Sequence, residues 1–222
     1  MMFLINYRAK NPLKMRNDET GQGEKIGIMG GTFDPIHYGH LFAAEFARVA
    51  IGLNRVIFVP SGNPPHKSYD GMAPAEDRFE MTRLAIEDKH DFEVSRVEID
   101  RGGPSYTSDT LELISAVNPE AELFLITGID AALDIPNWHE PKKVISLCKV
   151  LTIARPGYIC DKISMLDESI RDSLLVLDTG LIDISATDIR DRVRSGGCVR
   201  HMTPDIVCDY IAGKNLYSGA EA

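Results

Sequence analysis

The stretch Lys25-Ile26-Gly27-Ile28-Met29-Gly30-Gly31-Thr32-Phe33-Asp34-Pro35-Ile36-His37-Tyr38-Gly39-His40 decides the fold. It opens on a short apolar run, Ile26–Met29, and breaks at two glycines. A helical pattern follows, with Phe42, Phe46 and Val49 at i, i+4 and i+7. Runs of similar length recur at Val56–Val59, Leu123–Ile126 and Val150–Ile153, nearly continuous and bounded by Gly or Pro. That is the pattern of strands buried on both faces of a parallel sheet. Helical patterns fall between them. Met81, Leu84 and Ala85 follow the acidic start Glu76-Asp77, and Leu111 and Ile114 follow Thr107-Ser108-Asp109. Near the end, Thr203-Pro204 reads as an N-cap and a first helical residue, with Ile206, Tyr210 and Ile211 facing inward. Strands alternating with helices predict an α/β fold, a Rossmann-like parallel sheet flanked by helices with right-handed crossovers. Ligands of such sheets bind outside the carboxyl ends of the strands.

The 222 residues suit one catalytic domain, expected over 25–218, preceded by a flexible N-terminal extension over 1–24 that ends in turn formers. The apolar opening stops at Asn6, and Arg8, Lys10, Lys14 and Arg16 follow it, the wrong order for a secretory signal. No apolar run approaches the roughly 20 residues that span a bilayer. The expected setting is therefore cytoplasmic, with no membrane partner. A net charge of -9 argues against a general nucleic-acid binder, yet a local positive pocket could still take a phosphorylated small ligand. Cys148, Cys160, Cys198 and Cys208 show no zinc spacing and read as isolated thiols.

Glycines at a strand end allow a ligand close to the main chain, and the helix after them points unpaired N–H groups back at the loop. His37 and His40, three residues apart at that helix start, can share a face and donate to phosphoryl oxygens. The string is neither G-x-G-x-x-G nor a P-loop, and no third ligand completes a metal site beside the histidines. On these residues alone, a phosphate site and a plain turn with structural histidines stand level.

Further along, Ile184-Ser185-Ala186-Thr187-Asp188-Ile189-Arg190 reads as a capping box, Ser185 accepting from the backbone N–H of Asp188. The same helix start could present Thr187 and Arg190 to an anion. Arg192, Arg194 and Arg200 read as a solvated face. Pro64-Pro65-His66-Lys67 is an exposed loop or a stiffened phosphate contact. Gly103-Pro104-Ser105-Tyr106-Thr107-Ser108-Asp109-Thr110-Leu111 is a turn into a Thr- or Ser-capped helix, or a set of amides for a carboxylate. After Gly128-Ile129, Asp130 could meet a ribose, and Trp138 is a core plug or a stacking face.

The string Gly30–His40 resembles the H-x-G-H signature of the nucleotidyltransferase superfamily, in the form seen in bacterial nicotinate mononucleotide adenylyltransferases. Ile184–Arg190 resembles that superfamily's I-S-S-T-x-I-R motif, with Ala186 in place of a serine. P-P-H-K, G-P-S-Y-T-x-D-T-L, G-x-D, the downstream Trp and Arg155-Pro156-Gly157 are similar to the same family, from about Ile26 to Tyr217.

The resemblance implies a nucleotidyltransferase-type fold and adenylyl transfer from ATP to nicotinate mononucleotide. His37, His40 and Arg190 would serve catalysis, and Gly30, Gly31, Thr32, Phe33, Ser185, Thr187 and Asp130 the ATP. His66, Lys67, Tyr106, Thr107, Trp138 and Arg155 would serve the mononucleotide, with Trp138 stacked on the nicotinate ring. Mg²⁺ would travel with ATP, held by phosphate and water, with no protein metal site. Three alternatives stand beside this reading: a nicotinamide mononucleotide acceptor, a phosphopantetheine acceptor, and a dinucleotide sensor without catalysis. Oligomeric state is open, a homo-oligomer included.

Overall fold

The apolar runs read from the sequence sit at the centre of one parallel sheet. A computed structural model describes residues 4–5, 23–64, 71–154, 163–178 and 182–219. The strands are β1 (Leu4–Ile5), β2 (Lys25–Gly31), β3 (Arg55–Pro60), β4 (Phe92–Val94), β5 (Glu122–Gly128), β6 (Lys149–Ala154) and β7 (Leu174–Asp178). The described helices are α1 (Tyr38–Ile51), α2 (Ala75–Ile86), α3 (Val97–Arg101), α4 (Thr107–Val117), α5 (Ile129–Leu133), α6 (Pro141–Leu147), α7 (Glu168–Ser173), α8 (Ala186–Arg194) and α9 (Asp205–Gly213). A single 3₁₀ turn, Ile135–Asn137, follows α5.

The strand order is β1-β7-β6-β5-β2-β3-β4, and every pairing is parallel. From β2 the chain winds outward through β3 to β4, then returns to the other side of β2 as β5 and winds away through β6 and β7. The reversal opens a crevice between the carboxyl ends of β2 and β5, the place where such sheets bind ligands.

Alternation along the strands feeds two cores. Ile26, Ile28, Ile57, Val59, Leu123, Leu125 and Val150 pack with α4, α5, α6 and α7 residues on one face. Met29, Val56, Phe58, Phe124, Ile126 and Leu151 pack with α1, α2 and α9 residues on the other. Burial on both faces is why these strands read as unbroken apolar runs.

Four details differ from the sequence reading. Helix α1 faces the core with Leu41, Ala44 and Ala47, while Phe42 and Val49 of the expected stripe lie 36% and 50% exposed. The small alanines bring the helix close to the sheet. Helix α9 starts one residue later than read, with Pro204 at its cap, and Thr203 is buried instead with its hydroxyl donating to Ile36 O. Ile206 points out and Val207 takes the inward position. Within the expected flexible extension, Leu4 and Ile5 form β1 and pair with Val176 and Leu177, extending the sheet edge. Among the described residues Cys148, Cys198 and Cys208 are free thiols, and no helix is long and apolar enough to cross a membrane.

One close approach fixes the shape beside the crevice. Ser61, just past β3, donates its N–H to Gly31 O at 2.8 Å. At the next residue, a Cβ on Gly62 would lie 2.6 Å from Glu98 O and 3.0 Å from Glu98 C, so α3 rests directly on this loop. Backbone gives way less readily than a side-chain tip. Gly62→Ala is therefore expected to destabilise the fold by about 1–3 kcal/mol, read as a lower denaturant midpoint with an unchanged slope. An unchanged midpoint would show that α3 moves freely against the loop.

Candidate active site

Strand β2 runs into a loop that is held from several sides. Phe33 turns the chain with φ 48° and buries its ring against His40, edge-on at a centroid distance of 5.0 Å. That ring supports the histidine from below, so Phe33 has only its backbone to offer a nucleotide. Arg78 is 1% exposed, and its guanidinium donates to Thr32 O at 2.7 Å and Ala73 O at 3.0 Å. Asp34 Oδ1 accepts from Ala73 N–H at 3.0 Å and from the Tyr217 hydroxyl at 2.7 Å. Burial, reinforced by the Asp34 carboxylate, pushes the Tyr217 phenol well above its ordinary range, so it stays a donor. Gly30 is exposed, and nothing lies within 4 Å of where its Cβ would be. The same is true of Gly128 at the end of β5, so both strand ends that flank the crevice are bare backbone.

The two histidines share one face, as their spacing implied. Their rings stack at 3.7 Å with 25° between planes, and the His37 backbone N–H donates to His40 Nδ1 at 3.3 Å. With Nδ1 accepting, a neutral His40 carries its proton on Nε2 and is a donor there. His37 is 6% exposed, and burial lowers its pKa to about 4. It is neutral at physiological pH and costs no desolvated charge.

The second motif arrives at the same place. Ser185 caps α8, its hydroxyl accepting from Asp188 N–H at 3.0 Å. A Cβ on Gly39 would sit 3.6 Å from Ile184 O, so the starts of α1 and α8 adjoin. Arg190 ties them. Its Nη1 donates to Asp34 O at 2.7 Å and lies 3.6 Å from Asp34 Oδ2, while Nη2 reaches Thr187 Oγ1 at 3.2 Å. In α1 the His40 and Leu41 amides bond to His37 O, and in α8 the Asp188 and Ile189 amides bond to Ser185. The N–H groups of Gly39, Ala186 and Thr187 remain as first-turn donors, backed by two positive helix ends. Such a junction suits a polyanion.

Beside the junction lies a cavity of about 340 Å³. Gly30, Gly31 and Thr32 form its near wall, and Tyr106, Thr107 and Trp138 its far wall. Thr107 opens α4 with Tyr106 in the cap position and no side-chain cap bond, unlike the expected Thr or Ser cap, which leaves first-turn amides for a ligand. Trp138 is half-buried and packed on the core, and Tyr106 stacks on His139 at 4.2 Å. Asp130 is exposed at the second position of α5, just past β5. The structure thus gathers every described site residue that the sequence singled out at the carboxyl end of the sheet. His66, Lys67 and Arg155 lie outside the described residues.

The sequence reading passed over Asp34, Arg78, Glu98, His139 and Tyr217. Arg78 left a signal: a lone arginine on the helix face that carries Met81, Thr82 and Ala85. Tyr217 left none, since its partner Asp34 is 183 residues away.

Comparisons with known proteins place the chain among relatives. The cytidylyltransferase-like family model matches residues 28–192. A relative from Roseiflexus sp. (strain RS-1), named a probable nicotinate-nucleotide adenylyltransferase, is 45% identical over 194 residues, covering 86% of this chain and 97% of its own. One of the same name from Desulfitobacterium hafniense (strain Y51) is 45% identical over 200 residues, covering 87% and 96%. Among solved structures, the nicotinic acid mononucleotide adenylyltransferase of Plasmodium falciparum, complexed with NaAD, superposes with a TM-score of 0.70 at 20% identity, over 87% of this chain and 97% of that one. This likeness is one of fold.

The state of His37 has a measurable consequence. Its folded pKa, about 4, lies below the unfolded value near 6.5, so the unfolded chain binds more protons between those limits. Stability due to this group is full above about pH 6.5 and is lost as pH falls towards 4, by up to about 3 kcal/mol. Denaturant titrations from pH 7 to 4 are expected to give a shallower decline for His37→Gln than for the natural chain. Parallel declines would mean that the imidazole is charged in the folded state.

Proposed function

The chain belongs to the nicotinate-nucleotide adenylyltransferase family, and from that membership we propose that it transfers the adenylyl group of ATP to nicotinate mononucleotide. The products are nicotinate adenine dinucleotide and pyrophosphate, a step in building pyridine dinucleotides. The observation that carries this reading is the junction itself. Two helix starts meet at Gly39 and Ile184, and the loop that leads into the first lines, through Gly30, Gly31 and Thr32, the cavity of Trp138 and Thr107.

The chemistry follows from the charges. A phosphate oxygen of the mononucleotide attacks the α-phosphorus of ATP, and the bond to the pyrophosphate oxygen breaks in line. The attacking oxygen is already an anion, so no general base is needed. Catalysis consists of holding two polyanions in line and neutralising the charge that grows on the leaving group. His40, with its Nε2 proton, and the amides of Gly39, Ala186 and Thr187 donate to the β and γ phosphates. His37 packs neutral behind His40. Arg190 keeps further N–H groups for phosphate while its bond to Asp34 holds the loop. Ser185 and Thr187 complete that side.

Gly30, Gly31, Thr32 and the Phe33 backbone accept the nucleotide closely, and Asp130 takes a ribose. Mg²⁺ bound to ATP would supply further neutralisation of the phosphate charge. The buried carboxylate at the junction, Asp34, is committed to Ala73, Tyr217 and Arg190, so the ion would be held by phosphate oxygens and water. On the acceptor side, Trp138 stacks on the pyridinium ring, and the amides at Thr107 meet the carboxylate. Tyr106 flanks the ring. His66, Lys67 and Arg155 address the mononucleotide phosphate.

Pyrophosphate release with ATP should be fastest with nicotinate mononucleotide, slower with nicotinamide mononucleotide and absent with phosphopantetheine. Turnover with phosphopantetheine would overturn the acceptor assignment. His40→Ala should lower kcat by about 10²–10³-fold, the loss for one transition-state donor, whereas near-normal turnover would remove His40 from the chemistry. Trp138→Ala should chiefly raise KM for the mononucleotide, because stacking is already present in the ground state. A rise confined to KM for ATP would place the ring elsewhere.

A further inference from the structure

The wall of the acceptor cavity holds a buried carboxyl group, one oxygen of which has no described partner. Glu98, on α3, is 6% exposed and lines the cavity together with Thr110. Its Oε1 accepts from the Thr110 hydroxyl at 2.6 Å, while Oε2 is buried without a hydrogen-bond partner. Among the described residues no lysine, arginine or histidine forms an ion pair with it. Thr110 has one hydroxyl proton and two acceptors in reach, Glu98 Oε1 and Tyr106 O at 3.2 Å. The shorter contact takes the proton, so the Thr110 hydroxyl fixes Glu98 Oε1 in place. Tyr106 O is served by the Asp109 and Thr110 amides.

Leaving a buried polar atom without a partner is costly, and such a group persists where function requires it. The pyridine mononucleotide brings a cationic ring to this cavity. We infer that Glu98 is the fixed countercharge for that pyridinium, a specificity-determining residue held in place by Thr110 and by the close seat of Gly62 beneath α3. This inference rests on the proposed acceptor. The ring's charge does not change as phosphate attacks ATP, so Glu98 contributes to binding and leaves the chemical step alone. Oε2 need not touch the ring, because a charge acts across the low-dielectric wall.

The test separates charge from shape. Binding of nicotinate mononucleotide is compared with binding of 3-carboxyphenyl C-riboside 5′-phosphate, which has the same carboxylate and phosphate on an uncharged ring. Glu98→Gln keeps the Thr110 bond and removes the charge. It should weaken the mononucleotide about tenfold and the uncharged analogue less than about twofold, the scale of one partly screened charge pair. Saturated kcat and KM for ATP should hold, and the melting temperature of the ligand-free protein should not fall. Glu98→Met, apolar and of similar length, should give the same selective loss. Equal weakening of both ligands, or of neither, overturns the role of Glu98 while leaving the acceptor assignment in place. If the natural chain binds neither ligand, the acceptor assignment fails and this inference falls with it.

Discussion

A guanidinium bonded to a carbonyl far away in sequence holds the site together. Arg190 on α8 donates to Asp34 O in the loop after β2, at 2.7 Å, and the rest of the junction follows from that tie. It brings the start of α8 against the start of α1, so two positive helix ends and their leftover amides face one point. Without an anion, such ends repel each other and leave donors to water alone. Asp34 offsets part of this, since its buried carboxylate lies 3.6 Å from Arg190 Nη1 and accepts from Tyr217 and Ala73. The loop is thus fixed before any ligand arrives, which suits a reaction that depends on positioning.

The sheet topology supplies the second half. Because the chain reverses direction between β2 and β5, the glycine ends of both strands border an open crevice. The junction of the two helix starts adjoins the loop that follows β2. The cavity that Trp138, Tyr106 and Glu98 line also takes in Gly30 and Gly31 of β2 and Thr127 of β5. Charge is handled differently at the two. The junction presents donors and a neutral, desolvated His37, whereas the cavity presents apolar faces and one buried carboxylate. Two substrates that are both polyanions, one of which carries a cationic ring, call for such a division. Arg78 braces it by holding Thr32 and Ala73 with one guanidinium.

Much of this was legible in the sequence. The four doubly buried strands are apolar runs bounded by breakers, and all four fall within β2, β3, β5 and β6. The Ser185 cap was readable because a capping box is local. The edge strands β1 and β4 were not, because two and three residues give no periodicity. The inward face of α1 was misleading because Leu41, Ala44 and Ala47, and not Phe42 or Val49, are the residues it buries. At the site, residues at the helix starts were found, Arg190 among them, while the buried groups that support the site were not. Asp34, Tyr217 and Glu98 matter through tertiary bonds that no local pattern encodes.

The claim that two helix starts grip one triphosphate is most directly met by a crystal structure with α,β-methylene ATP. Phosphate oxygens are expected within about 3.2 Å of the Gly39 amide and of the Ala186 or Thr187 amide at once, with Arg190 still bonded to Asp34. Phosphates seated on one helix start alone, or away from both, would contradict it.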